Sequence, residues 1–328
     1  MIGLLRADLV RLGKRTAVRI VLVAVPLLAA FFFLVGYQSA ATSLEPLDEQ
    51  SYRQQLIEDG FLEGLPPEEA EQLLDEMVAS ERQDREFQHA QAEAMAARFA
   101  FPQSLLTAFE SGSLVFFALV LLTASTTGDE FSWGTIRLAL LASSDRRRWL
   151  LARLATIGLF ALVMLASLVV VGVVLPGLLS VLGANPPPTP GISPGGFGIL
   201  LVGELAVAAM VIAFAILVTL LVRSGSLTLV VMLVYVIVEL AFLALLLRFP
   251  AFSGDGPLAW LPDVFPVRAV ARMVDGASHL ASGGSRFIGD PGAPEIGAVL
   301  LPLGAILVWT LLFGAAAFRR FWRMDIVE

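Results

Sequence analysis

Six long apolar stretches decide what this chain can fold into, because about 20 consecutive apolar residues in a helix are what a hydrocarbon layer of about 30 Å demands. Ile20 to Gly36 carries no charge, and Glu110 and Asp129 bracket a second uncharged run. The uncharged stretch between Arg153 and Glu204 is too long for one helix and is broken by Pro186, Pro187, Pro188, Pro190 and Pro194. It therefore predicts a third span near 154–182 and a fourth near 197–222. A short Arg223–Ser226 connection leads to a fifth near 227–247, and the sixth is expected near 296–318. Hydrophobic residues make up 57% of the chain and its mean hydropathy is +0.80, more than a soluble core of this size consumes, so the excess faces lipid. The expected fold class is all-α and polytopic, a single membrane domain over 1–328.

Basic residues beside the spans are retained on the cytoplasmic side. With both termini inside, the inner segments hold 14 of the 22 basic residues, among them Arg6, Arg11, Lys14, Arg15, Arg146, Arg147, Arg148, Arg319 and Arg320. This gives an N-in, C-in protein of the cell inner (plasma) membrane. Within residues 1–19, Leu5, Leu9 and Leu12 recur at helical spacing among Arg6, Arg11 and Lys14. The pattern fits an amphipathic helix on the inner membrane face, or a charged anchor for the first span. A cleaved signal peptide is the alternative reading, since Ser39, Ala40 and Ala41 follow the first apolar run.

Residues 38–111 hold 16 acidic and four basic residues, a net of −12 that leaves +5 for the rest of a −7 chain. Pro66 and Pro67 ahead of Glu68 and Glu69 mark a helix start, and no Gly or Pro follows until beyond Ala100. A helical, acidic extracytoplasmic insertion is expected there. The outer loop 248–295 mixes Trp260, Leu261, Val264, Phe265 and Val267 with Arg268 and Arg272, interrupted by Pro262 and Pro266. That composition predicts short interfacial or re-entrant helices.

Ionisable residues inside spans are candidates for function by default, and here they are Glu204 and Glu239. Measured from the outer ends of their helices their depths match, at about 10 and 12 Å. The pair is a translocation-path candidate, able to share a proton or line one polar path, unless each is simply satisfied locally. No cysteine is present, which removes thiol chemistry. There is no G-x-x-x-x-G-K-[ST] phosphate loop, no H-E-x-x-H and no G-x-S-x-G, and the two histidines, His89 and His279, are far apart in sequence. No catalytic, cofactor or metal site is therefore assigned.

The connection between the second and third spans is the most informative segment: Gly128, Asp129, Glu130, Phe131, Ser132, Trp133, Gly134, Thr135, Ile136, Arg137, then Ser144, Asp145 and Arg146–Arg148. Glu130 followed by Gly134–Thr135, a Leu-rich stretch and an Arg cluster opening the next helix resembles the ABC-2 type permeases, the transmembrane subunits of ABC transporters. Phe318, Arg319, Arg320 and Asp325 are similar to the basic tail of those proteins. The likeness covers the whole topology, with departures at Ser143 and Arg153, where members often have Pro and Lys. It implies that residues 129–153 form a cytoplasmic coupling loop seated in an ATP-binding subunit, with Glu130, Phe131, Trp133, Gly134, Thr135, Ile136 and Arg137 as the contact. Read without the family, the same residues are a membrane-exit cap, with Gly134 as a turn and the arginines as topology signals.

The resemblance implies a permease subunit, read here as part of an exporter, that forms the path as a homo- or heterodimer in the lipid bilayer. ATP and Mg would be held by separate ATP-binding subunits, so the chain itself is no enzyme and contacts no nucleic acid. A proton-coupled secondary transporter using Glu204 and Glu239, opposed by the lack of recognisable inverted repeats, is the alternative of another class. A non-transporting scaffold that presents the acidic insertion is a third.

Overall fold

The computed structural model describes residues 2–42, 49–59, 66–132, 134, 136, 146–184, 186–189, 191–252, 256–282 and 296–324. All regular structure among them is helical. In chain order the helices are α1 Ile2–Gly13, α2 Thr16–Thr42, α3 Glu49–Glu58, α4 Pro67–Ala97, α5 Gln103–Glu110, α6 Gly112–Thr123, α7 Asp129–Ser132, α8 Arg146–Val181, α9 Pro194–Val222, α10 Gly225–Leu246, α11 Pro266–Ala281 and α12 Gly297–Arg323. A π-turn, Ala124–Gly128, joins α6 to α7. Six helices are long and apolar enough to cross a membrane: α2, the α6–α7 unit, α8, α9, α10 and α12, the first to sixth spans below. The chain is thus a membrane protein by the length and composition of its helices.

Each element has a local cause. Ser193 caps α9 by accepting from the Gly196 N–H at 3.3 Å, with Pro194 at the first helical position. Arg223 closes α9 with φ 55°, and Ser224 then accepts from the Leu227 N–H at 3.5 Å to open α10. Two residues therefore suffice to reverse the chain between the fourth and fifth spans.

Several expected boundaries shift. α8 begins at Arg146, not near 154, so Arg146–Arg153 of the expected 129–153 loop form its first two turns, and Asp129–Ser132 of that loop are helical too. Long arginine side chains let a helix run on beyond the apolar layer, which a charge-counting reading cannot see. The helix of the first span continues to Thr42, inside the segment read as the start of the insertion. The insertion's last helix, α5, is not aqueous: Ser104, Leu105, Leu106, Ala108 and Phe109 are buried, and Ser104 Oγ donates to the Gly172 carbonyl at 2.6 Å. The N-terminal helix stops at Gly13, and Arg19 already belongs to α2.

α9 is the hub of the bundle, with α11 and α12 packed along it. Glycines allow the backbones to meet: a Cβ on Gly196 would lie 2.5 Å from the Ala281 nitrogen, and one on Gly203 would strike Met273 Sδ. Small residues at such crossings are how helices associate where burial from water supplies no drive. Large apolar side chains such as Leu27, Phe31, Phe117, Val230, Val238 and Leu311 point outward, the inverse of a soluble protein.

Candidate functional site

One end of the bundle gathers α1, the exit of the second span, the start of the third, the α9–α10 turn and the end of the sixth. We refer to it as the basic end. α1 places Asp8 and Arg11 one turn apart on one face, joined at 3.3 Å. The π-turn adds a residue to the second span just before Asp129 and Glu130, and such turns are frequent at functional positions. Glu130 is 1% exposed, and its Oε1 accepts from both Arg153 Nη2 and Arg11 Nη2. Arg153 is wholly buried, also lies 3.6 Å from Asp8, and stacks 5.5 Å from the Trp149 ring. Arg15 donates to the Ser125 carbonyl at 3.1 Å and to Asp129 at 3.4 Å. Asp8, Asp129 and Glu130 are thus balanced by Arg11, Arg15 and Arg153, a neutral joint that locks three helices together.

The residues expected at the coupling contact fall in different environments. Glu130 turns inward to this joint, Phe131 is half-buried against the core, and Ile136 is buried. Gly134 is exposed with φ 68°, a left-handed conformation that favours glycine. Trp133, Thr135 and Arg137 lie outside the described residues. Of the arginine cluster, Arg147 lies over the Trp322 ring at 4.7 Å, and Trp149 stacks on Phe321 at 5.3 Å, tying the third span to the sixth. Sequence reading missed Arg11 and Arg153 as partners of Glu130, and Asp8 as the second carboxylate that those arginines share. The available signal was a charge, Arg153, two turns inside a long helix that must end paired.

The two membrane carboxylates are not level. Counted from the basic end, Glu204 lies about 27 Å along α9 and Glu239 about 21 Å along α10. Their distances from the far ends of the helices differ from those from the near ends because α9 has 29 residues and α10 only 22. Glu204 is fully buried at the start of the second span, where a Cβ on Gly112 would sit 3.2 Å from its Oε1. Neither of its oxygens has a hydrogen-bond partner among the described residues. Glu239 Oε1 instead accepts from the Val267 N–H at 2.6 Å, at the first turn of α11. Trp309 Nε1 donates to the Val264 carbonyl at 2.8 Å, also about 21 Å from the basic end of its helix. The Val264–Val267 turn is therefore held by the fifth and sixth spans from two sides, and Asp263 there is paired with Arg268 at 2.8 Å and Arg272 at 3.3 Å. Pro266 is the N-terminal residue of one 16-residue helix and not a break within it.

The Glu239 contact has a testable consequence. Glu239→Leu strands a buried N–H, a loss of about 1–3 kcal/mol. Amide exchange over 266–281 should accelerate in that variant and stay near the parent's in Glu239→Gln, which keeps an acceptor. Equal exchange in both would mean that α11 does not depend on this carboxylate.

The sequence profile of a family described as "Protein of unknown function (DUF2705)" matches residues 84–327. The chain belongs to the DUF2705 family. No curated protein matches it, and no solved structure does. In this DUF2705 protein the matched region runs from the second half of α4 through the sixth span and includes Glu130, Arg153, Glu204 and Glu239, whereas Asp8, Arg11 and Arg15 precede it.

Proposed function

We propose that this chain is the permease subunit of an ATP-driven ABC-2 type exporter, set in the cell inner membrane with both termini in the cytoplasm and working as a dimer with two separate ATP-binding subunits. The observation that supports it is the ion-paired joint at the basic end. A subunit without a phosphate loop must take up force from a partner, and Ser132, where the chain leaves the second span, adjoins a joint that holds α1, the second span and the third span together. A push on that loop moves three helices at once. Glu130 then acts as a positioning group, since its carboxylate is committed within the chain, and contact with the partner falls to the loop from Trp133 onward. ATP and Mg belong to the partner.

The test is co-purification with a P-loop ATPase encoded beside this gene. Trp133→Ala should leave insertion intact and weaken binding by about 2 kcal/mol or more, roughly 30-fold. Unchanged binding would remove the coupling role of this loop. The second reading, a proton-coupled transporter, is favoured by the buried and unpartnered Glu204 carboxyl. Flux driven by a pH gradient in vesicles lacking any ATPase, and lost in Glu204→Gln, would replace the first reading with that one.

A further inference from the structure

Between the third, fourth and sixth spans lies a cavity of about 280 Å³, bounded by Leu154 and Gly158 of α8, Ala213 and Ile216 of α9, and Gly314 and Phe318 of α12. Its walls are apolar; the one hydroxyl, Thr310, is turned to the Ile306 carbonyl at 2.7 Å. The lining residues on α8 run from Leu150 to Gly158, about 12 Å of helix, and those on α12 cover a similar rise. Glycine makes the space: a Cβ on Gly158 or Gly314 would meet nothing within 4 Å.

The chemistry at the basic end of this crevice is anion-seeking. Arg147 lies one turn below Leu150, with its guanidinium over Trp322, and Arg320 lies one turn below Ala317. Arg320 Nε is buried and has no hydrogen-bond partner among the described residues. Arg148, Arg319 and Arg323 are exposed at the same end of these helices. An elongated apolar crevice beneath a cationic end, with a buried N–H donor there, suits the two halves of one amphiphile.

We propose that an anionic glycerophospholipid of the leaflet at the basic end inserts one acyl chain between the third, fourth and sixth spans and places its phosphate on Arg320 and Arg147. The site does not depend on the ATP-driven reading. By filling the gap under the Trp149–Phe321 and Arg147–Trp322 contacts, the lipid would set how the third and sixth spans lean together.

The full chain, reconstituted in vesicles of phosphatidylcholine with or without phosphatidylglycerol, is photolabelled with each lipid in turn carrying a diazirine at its chain end, and adducts are mapped by peptide mass spectrometry. Phosphatidylglycerol adducts should concentrate on 150–158 and 310–318, several-fold above those on the lipid-facing Val230–Val238 stretch of α10, and phosphatidylcholine adducts should not. Gly158→Leu with Gly314→Leu, which fills the crevice, should abolish the first set and keep the second. Arg320→Gln, which leaves the helix contacts alone, should remove the preference for phosphatidylglycerol. Adducts spread evenly, unchanged in the filled variant, or absent from the crevice while α10 is labelled would overturn the proposal. The last of these results would mean that another polypeptide covers the crevice.

Discussion

Replacing Glu130 with Ala should lower the thermal unfolding temperature of the purified chain more than any other single side-chain truncation at the basic end. Arg153 is wholly buried, and removing its principal partner leaves a guanidinium with only Asp8, 3.6 Å away and shared with Arg11. Breaking a buried pair from one side costs about 3–5 kcal/mol, most of it the penalty of the charge left behind. The charge count makes the test specific. In Glu130→Gln with Arg153→Gln one charge of each sign is gone, and Asp8 and Arg11 remain paired at 3.3 Å. The double variant should therefore recover much of the loss, a coupling that additive effects cannot produce. If the single and double variants unfold together with the parent, the joint contributes no rigidity, and the argument that it transmits force loses its footing.

Gly128→Ala should be the second large effect, although it adds a single methyl group. Its Cβ would lie 2.4 Å from the Gly225 Cα, and one on Gly225 would lie 2.7 Å from the Ala124 carbonyl oxygen. Backbone faces backbone here, so no flexible side chain can give way and the two spans must separate. Overpacking of this kind costs about 1–3 kcal/mol. Gly158→Ala on α8 is the internal control, since its Cβ meets nothing within 4 Å. Relief of glycine's backbone entropy should leave that variant equal to the parent or more stable by about 0.5–1 kcal/mol. Thermal unfolding in detergent separates the pair, and equal shifts would show that the second and fifth spans do not touch as described.

The six spans were legible because run length and lack of charge are local properties of a sequence. Their ends were less so. Arg146–Arg153 reads as a charged loop, yet it is helical, because arginine tolerates a helix that leaves the apolar layer. Pro262 and Pro266 mark the starts of short helical pieces, but the anchors of that segment, the Glu239 carboxylate and the Trp309 indole, depend on packing between spans. Glu130 was singled out from its position at the membrane exit, as a residue facing outward to a partner. Its actual neighbours, Arg11 and Arg153, are 119 and 23 positions away, and no periodicity connects residues so far apart. Glu204 and Glu239, read from the sequence as lying inside spans, are both buried.

The π-turn at Ala124–Gly128 gives the second span two independent phases. Such a turn absorbs a one-residue insertion without breaking the helix. Each residue advances a helix by about 100°, so the turn sets the azimuth of Asp129 and Glu130 separately from that of Val115, Leu119 and Leu122 below. Losing one residue between Ala124 and Gly128 would restore a uniform helix and swing Glu130 away from Arg153 and Arg11 by more than a quarter of a revolution. A single codon thus separates a span whose last turn is clamped to its neighbours from one whose acidic exit faces outward.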